Sequence, residues 1–113
     1  TQNLRYRLID EEAQELAEAT NPKEYLDAVG DLLYVVYGAA LAAGFSPHQV
    51  DAAFTEIHRS NMSKVWTDDE IDSIPADCRS TRVGDNRHIV RRSDGKIAKS
   101  PSYSPARLES YTR

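Results

Sequence analysis

Two carboxylates lie where the sequence predicts the buried face of its first helix. At about 100° per residue, Glu12 and Glu15 fall on the same half of the helical wheel as Leu8, Ile9 and Leu16. A buried carboxylate without a partner is costly or takes up a proton, so helices normally place acids opposite leucines. Another group must therefore compensate these charges.

A second acidic pair, Asp27 and Asp31, is one turn apart on the next predicted helix, and Glu24 precedes it by about another turn. Two antiparallel helices joined by a short connector would bring this pair close to Glu12 and Glu15. Four converging carboxylates repel one another unless hard divalent cations lie among them. We therefore expect Mg²⁺ at this site, with Mn²⁺ as the alternative cation.

Two simpler interpretations of these acids stay open. Acidic pairs at helical spacing are common on solvated helix faces. Arg5 lies about two turns before Glu12 on nearly the same face, where its guanidinium would neutralise that carboxylate without a metal. One arginine cannot compensate four acids, and the neighbouring leucines favour the metal interpretation.

Polar residues also continue the buried face of the third predicted helix. Val50, Phe54 and Ile57 recur at the spacing of an apolar stripe, and Asn61 and Lys64 extend that stripe at nearly the same angle. A lysine ammonium at a helix end is a point charge that can bind a phosphate. The alternative is that the helix leaves the core before Asn61, so that both side chains are solvated.

Two helices must position the acids. The first is predicted over residues 2–19 and the second over residues 23–43, with Asn21 and Pro22 between them. From Leu32 onwards the second helix is apolar on every side, which is typical of a helix at the centre of a bundle or at a subunit interface. A chain of 113 residues buries a modest core that a second copy would enlarge. We predict an all-α helical bundle completed by oligomerisation.

The third helix has the clearest start. Ser46 is placed as its N-cap, Pro47 as its first residue, and Gln49 to complete a capping box. After Trp66 a short helical turn is predicted to end at Pro75.

The C-terminal segment is predicted to contain a short β-hairpin. Residues 76–87 have the composition of a loop. Strands at His88–Arg91 and Lys96–Lys99 are predicted to turn at Asp94-Gly95, a dipeptide that favours tight hairpins.

The net charge of −4 is unevenly distributed between an acidic and a basic part of the chain. Residues 1–78 hold five Lys/Arg and fifteen Asp/Glu, whereas residues 79–113 hold nine and three. The two parts either attract each other or serve one ligand that takes metal ions beside the acids and phosphates beside the bases. We divide the chain into an α-helical metal-binding core, residues 1–66, and a basic C-terminal extension of the same domain, residues 67–113.

Composition narrows the class of protein. A hydrophobic content of 40% suits a soluble globular chain. Cys78 is the single cysteine and no basic-then-apolar leader opens the sequence, so we expect a cytoplasmic location. The apolar run over residues 32–45 is shorter than a membrane span requires, and neither a zinc motif nor a Gly-rich phosphate loop is present.

Three stretches together carry a family resemblance. EEAQE at 11–15, DAVGDLLYVVYGAALAAGF at 27–45 and EIHRSNMSK at 56–64 resemble the MazG-like all-α nucleoside triphosphate pyrophosphohydrolases, especially the phosphoribosyl-ATP pyrophosphohydrolase-like and phage-type members. DGKIAKSPSYSP at 94–105 is similar to the end of those proteins. The resemblance implies Mg²⁺-dependent hydrolysis of nucleoside triphosphates to monophosphate and pyrophosphate by homodimers or homotetramers.

By position, the resemblance implies that Glu12, Glu15 and Asp31 are metal ligands and that Glu11 is a ligand or the base. The second half of the family pattern is ExxD, which requires Glu at position 28, and this chain has Ala28. Asp27, one turn before Asp31, is the expected substitute ligand.

The combined prediction is a nucleoside triphosphate pyrophosphohydrolase, with a possible role in cleansing nucleotide pools. Glu11 or Glu12 would activate water, and the nucleotide would be bound by basic, polar and aromatic side chains: Asn61, Lys64, Lys96, Lys99 and Tyr103. No nucleic acid polymer and no membrane is expected as a partner. The alternative is a non-catalytic nucleotide-binding or helical interaction module that lost its chemistry with the change at Ala28.

Overall fold

The computed structural model describes residues 2–113 and is mainly helical, with one small sheet. Its elements are α1 Gln2–Glu18, α2 Pro22–Ala42, α3 Pro47–Met62, β1 Arg79–Gly84 and β2 Arg87–Arg91, with short 3-10 turns at Ile71–Ser73 and Glu109–Tyr111. The three predicted helices and the C-terminal hairpin are confirmed. The chain forms two compact units, one ending at Asp51 and one running from Ala52 to Arg113. The division at residue 66 stays a prediction.

The start and end of α2 follow from local hydrogen bonds. Asn21 Oδ1 accepts a 2.9 Å hydrogen bond from the backbone N–H of Glu24, and Pro22 takes the first helical position, where its missing N–H costs nothing. Gly44 has a φ of +98°. This left-handed conformation, which glycine adopts without strain, ends the helix.

The predicted capping box of α3 is present. Ser46 Oγ accepts from the N–H of Gln49 at 3.1 Å, and Gln49 Oε1 accepts from the N–H of Ser46 at 2.9 Å. Two backbone donors that the first turn leaves unpaired are thereby satisfied. Thr67 and Glu70 form the same reciprocal pair before the 3-10 turn.

Much of the apolar surface of α2 is exposed. Ala28, 5% exposed, is the one buried residue of α2, whereas Leu26 is 72% and Tyr34 81% exposed. By length and composition alone, α2 could also cross a membrane, a property that core helices of soluble proteins share. Its first ten residues carry four charges, Lys23, Glu24, Asp27 and Asp31.

The second unit has its core beneath β2. Val90 is fully buried there. Trp66 and His88 are also buried, and they pair as an antiparallel bridge with two 2.8 Å backbone hydrogen bonds. Trp66 Nε1 donates to the carbonyl of Ala98 at 2.9 Å. A buried tryptophan with a satisfied N–H anchors this unit.

The predicted partner of β2 is wrong. β2 pairs antiparallel with β1, which lies in the segment predicted as a loop, and the chain turns at Asp85-Asn86, where Asn86 has a φ of +56°. The turn at Asp94-Gly95 does form, but the predicted strand Lys96–Lys99 is reduced to an isolated bridge between Arg91 and Ile97. The sequence did not predict β1 because nearly all of its residues are exposed. Such a strand has no alternating pattern of apolar and polar residues.

Candidate functional site

Three carboxylates from α1 and α2 converge. Glu12, Glu15 and Asp31 each offer one oxygen that lies within 4.8 Å of the other two. Glu12 and Glu15 are neighbours on α1 because they are three residues apart, and α2 contributes Asp31. The structure therefore brings together three of the four acids predicted to bind metal.

Glu12 is the least compensated of these three carboxylates. Its Oε2 atom is buried and has no hydrogen-bond partner among residues 2–113. Burial raises the pKa of Glu12, and the neighbouring carboxylates of Glu15 and Asp31 raise it further. Within the described residues, no ion pair involves any of the three carboxylates.

These residues fit a hard divalent cation. Carboxylate oxygens are the ligands that Mg²⁺ prefers, and its ligands at 2.0–2.1 Å lie about 3 to 4 Å from one another. Oxygens within 4.8 Å of one another need only small side-chain rotations to reach that separation. A cation here would also give the unpartnered Glu12 oxygen a partner, because that oxygen would become one of its ligands.

Arg5 does not take the place of a metal. Among residues 2–113 it forms no ion pair with Glu12, and its Nη1 lies 3.2 Å from the position that a Cβ on Gly38 would occupy. The absence of a side chain at Gly38 thus leaves room for this guanidinium beside α2. The salt-bridge interpretation is not supported by the structure.

Asp27 adjoins the three carboxylates without being one of them. It lines a cleft of about 330 Å³ together with Glu15, and a second cleft of about 680 Å³ together with Asp31. Its assignment as a ligand stays a prediction, as does that of Glu11, which is exposed on α1.

Glu24, which precedes the Asp27 and Asp31 pair on α2, is committed to the connector. Its carboxylate accepts from the N–H and hydroxyl of Thr20, both at 3.2 Å, and from the side-chain amide of Asn21 at 2.9 Å. These hydrogen bonds, led by that from the Thr20 N–H, lower the pKa of Glu24. Its role is therefore to cap α2.

In the second unit, two of the predicted phosphate-binding cations lie over one aromatic ring. Lys99 Nζ is 4.6 Å and Lys64 Nζ 6.0 Å from the centre of the Tyr103 ring. The Lys64 carbonyl also accepts from the N–H of Ser100 at 3.2 Å, which fixes the backbone between them. An aromatic face with two ammonium groups is suited to an anionic, base-containing ligand.

Asn61 and Lys96 do not join this aromatic cluster by any contact in the described chain. Asn61 is exposed in the last turn of α3, where its carbonyl accepts from the N–H of Lys64 at 3.1 Å. Lys96 is exposed after the Asp94-Gly95 turn, and its N–H donates to Asp94 Oδ1 at 3.0 Å. Their assignments stay predictions.

The fold and the site define a class: a helical protein with a carboxylate centre suited to a divalent cation. The model of the phosphoribosyl-ATP pyrophosphohydrolase family matches residues 1–61, more than half of the chain, and the chain belongs to this family. The resemblance to the MazG-like nucleoside triphosphate pyrophosphohydrolases is thereby confirmed. The family is named for the hydrolysis of a nucleotide, phosphoribosyl-ATP, to release pyrophosphate. The matched segment contains all three converging carboxylates.

A curated protein of Acanthamoeba polyphaga mimivirus, described as uncharacterised, is 51% identical to the chain over 49 residues. The alignment covers 41% of this chain and 20% of the viral protein, so the chain spans only a small part of that relative. A comparison with solved structures gave no significant match.

Proposed function

We propose that this chain is a Mg²⁺-dependent nucleoside triphosphate pyrophosphohydrolase that releases a (deoxy)nucleoside monophosphate and pyrophosphate, in the service of cleansing nucleotide pools. The observation that carries the proposal is the convergence of Glu12, Glu15 and Asp31, with one Glu12 oxygen buried and unpartnered. Membership of the pyrophosphohydrolase family supports the reaction class.

In this proposal Glu12, Glu15, Asp31 and Asp27 hold Mg²⁺, or Mn²⁺ in its place. The cation, when bound, neutralises phosphate charge and lowers the pKa of water. Water attacks the α phosphorus: a bond from the water oxygen to that phosphorus forms, the bond from the α phosphorus to the bridging oxygen breaks, and the bridging oxygen leaves with pyrophosphate. Glu11 takes the proton when Glu12 holds the cation, and Glu12 takes it when the other three carboxylates hold the cation.

Nucleotide binding is assigned to the basic part of the chain. Lys64 and Lys99 would contact phosphates as point charges, and the Tyr103 ring close to both would stack on the base. Asn61 and Lys96 complete the proposed set. The support for this assignment is the shared position of both ammonium groups over one ring.

The test is pyrophosphate release from a panel of ribo- and deoxynucleoside triphosphates and phosphoribosyl-ATP, with Mg²⁺ present. Glu15→Gln keeps the side-chain shape but removes its charge, and we expect it to lower kcat/KM at least about a hundredfold. Asp10→Asn removes an equal charge from an exposed position on the same helix and should leave kcat/KM unchanged. Equal rates for both variants would overturn the proposed centre.

The second candidate is a non-catalytic nucleotide-binding or helical interaction module. It is favoured by Ala28, which is buried where the family pattern has a carboxylate. Nucleotide binding without pyrophosphate release across the whole panel would support this candidate.

We further propose that the protein is a homodimer or homotetramer in the cytoplasm, with neither a nucleic acid polymer nor a membrane as partner. The exposed apolar residues of α2, Leu26 and Tyr34 foremost, support self-association because such a surface is unfavourable in water. Tyr34→Glu should shift the sedimentation coefficient to that of a monomer. A monomeric wild-type chain at micromolar concentration would contradict this assignment.

A further inference from the structure

The β-hairpin carries an excess of positive charge. Residues 79–92 contain five arginines and a single acidic residue, Asp85. All five arginines are exposed: Arg79, Arg82, Arg87, Arg91 and Arg92. This segment lies beyond the part of the chain that the family model matches.

These arginines differ in how their charge is compensated. Arg82 pairs with Asp68 at 3.0 Å, and Arg92 pairs with Asp94 at 2.8 Å. Arg91 donates from Nη1 to the Gly95 carbonyl at 3.0 Å, which orients its guanidinium without neutralising it. Within residues 2–113, the Arg79 side chain forms no ion pair, and the backbone of Arg79 pairs with that of Arg91. Two positive charges therefore lack an acidic partner at the open end of the hairpin.

These two arginines face each other. In the register of the hairpin Arg79 is directly opposite Arg91, so both side chains project from the same face of the sheet. Like charges at directly opposed positions destabilise a strand pair. An anion bound between the two guanidinium groups would convert this repulsion into attraction.

The paired arginines also line a concave site. A cleft of about 660 Å³ lies between the segment before β1 and the turn after β2. Its polar wall consists of Arg79, Arg91, Arg92, Thr81, Ser93 and Asp77. Guanidinium groups match the oxygens of a phosphate in a bidentate manner, and the two hydroxyls supply further donors.

We propose that this cleft, which shares no lining residue with the carboxylate centre, is a binding site for the phosphate or diphosphate group of a small ligand. The volume falls in the range of small-molecule sites. No aromatic residue lines the cleft, whereas grooves for single-stranded nucleic acid use aromatic side chains to stack bases. Cys78 also lines it, but burial and the adjacent Asp77 raise the pKa of this thiol, so the site binds its ligand without attacking it.

The test measures binding of pyrophosphate, inorganic phosphate and AMP to the full chain by titration calorimetry in EDTA, which removes any metal-dependent binding. Arg79→Gln and Arg91→Gln should each weaken pyrophosphate binding about tenfold or more, because each removes a charged hydrogen bond. Arg87→Gln removes an equal charge from the same hairpin outside the cleft and should change binding less than about twofold. AMP binding comparable to that of pyrophosphate would assign the site to nucleotides, and weaker AMP binding would assign it to free diphosphate.

A stability measurement gives a second readout. Without anions, Arg79→Gln should raise the melting temperature by relieving the repulsion with Arg91, and pyrophosphate should raise it for the wild type but not for the variant. Equal weakening of binding by Arg79→Gln and Arg87→Gln would overturn the proposal in favour of non-specific attraction. So would tighter binding of a single-stranded oligonucleotide than of pyrophosphate. Binding that Glu15→Gln alone abolishes would place the ligand at the carboxylate centre instead.

Discussion

The carboxylate of Glu56 on α3 accepts a 2.8 Å hydrogen bond from the backbone N–H of Arg107 in the C-terminal segment. The same carboxylate is paired with Arg59, whose Nη2 donates to the Pro105 carbonyl at 3.1 Å. The hydrogen bond from Arg59, followed by that from Arg107, lowers the pKa of Glu56 to about 2. One ionised side chain thus fastens the end of the chain to α3.

This contact makes a prediction about acid stability. Because the pKa of Glu56 is lowered from 4.5 to about 2 in the folded state, its contribution is complete above about pH 4.5 and is lost as the pH falls towards 2. Glu56→Ala removes the acceptor and should speed hydrogen exchange at the Arg107 amide at neutral pH and remove this part of the pH dependence. Glu109→Ala, also in the C-terminal segment, is the control. Unchanged exchange in Glu56→Ala would contradict the contact.

The Glu12 carboxylate should lower the melting temperature of the protein without a cation and allow a bound cation to raise it. In EDTA, Glu12→Gln is expected to raise the melting temperature because it removes a charge that lies beside Glu15 and Asp31 and has one buried, unpartnered oxygen. Mg²⁺ or Mn²⁺ should raise the melting temperature of the wild type, but not that of the variant.

Thermal unfolding with and without the cation, with Asp10→Asn as the control for charge alone, tests both effects. A Glu12→Gln variant that is less stable in EDTA would show that its carboxylate has a stabilising partner after all.

Variants at positions 27 and 28 distinguish two hypotheses for the fourth ligand of the carboxylate centre. If Asp27 serves in place of the family glutamate, Asp27→Asn should lower kcat/KM at least about tenfold. Ala28→Glu should lower stability without raising the rate, because Ala28 is buried and the added carboxylate would join Glu15 and Asp27 in lining one cleft.

Ala28→Gln is the matched control for size. Full activity in Asp27→Asn together with faster turnover in Ala28→Glu would refute the assignment of Asp27.

The aromatic cluster predicts a difference between two changes at Tyr103. Tyr103→Phe keeps the ring beneath Lys99 and Lys64 and should leave KM nearly unchanged. Tyr103→Leu removes the π face, worth about 0.5 to 1 kcal/mol per exposed cation, and should raise KM for the nucleotide several-fold. Steady-state kinetics on both variants measure this, and an equal KM in the two would remove Tyr103 from the binding site.

Local signals predicted the helices well because each signal is a short-range hydrogen bond or a fixed dihedral. The Ser46 and Gln49 pair and the Asn21-Pro22 start needed no knowledge of the rest of the chain. The approach of Glu12 and Asp31 was predictable from two helices joined by a short connector. That Arg5 lies beside Gly38 instead of pairing with Glu12 depends on how the helices pack, which spacing does not specify.

The hairpin shows where local signals fail. Asp94-Gly95 is a strong turn former and does turn, but β2 pairs with β1, a choice of partner that no local signal specifies. The opposition of Arg79 and Arg91 followed from that register and was therefore missed. Five arginines in fourteen residues were the signal that could have drawn attention to it.

Trp66 is the single tryptophan of the chain, and its indole is buried with its N–H bonded to Ala98. The protein thus contains a natural fluorophore located wholly in its second unit, whereas α1 and α2 dominate the helical circular dichroism signal. In one denaturant titration, emission therefore reports on the second unit, and ellipticity reports mainly on the first with a smaller contribution from α3. Coincident midpoints would show one cooperative transition, and separate midpoints would give each unit a stability of its own.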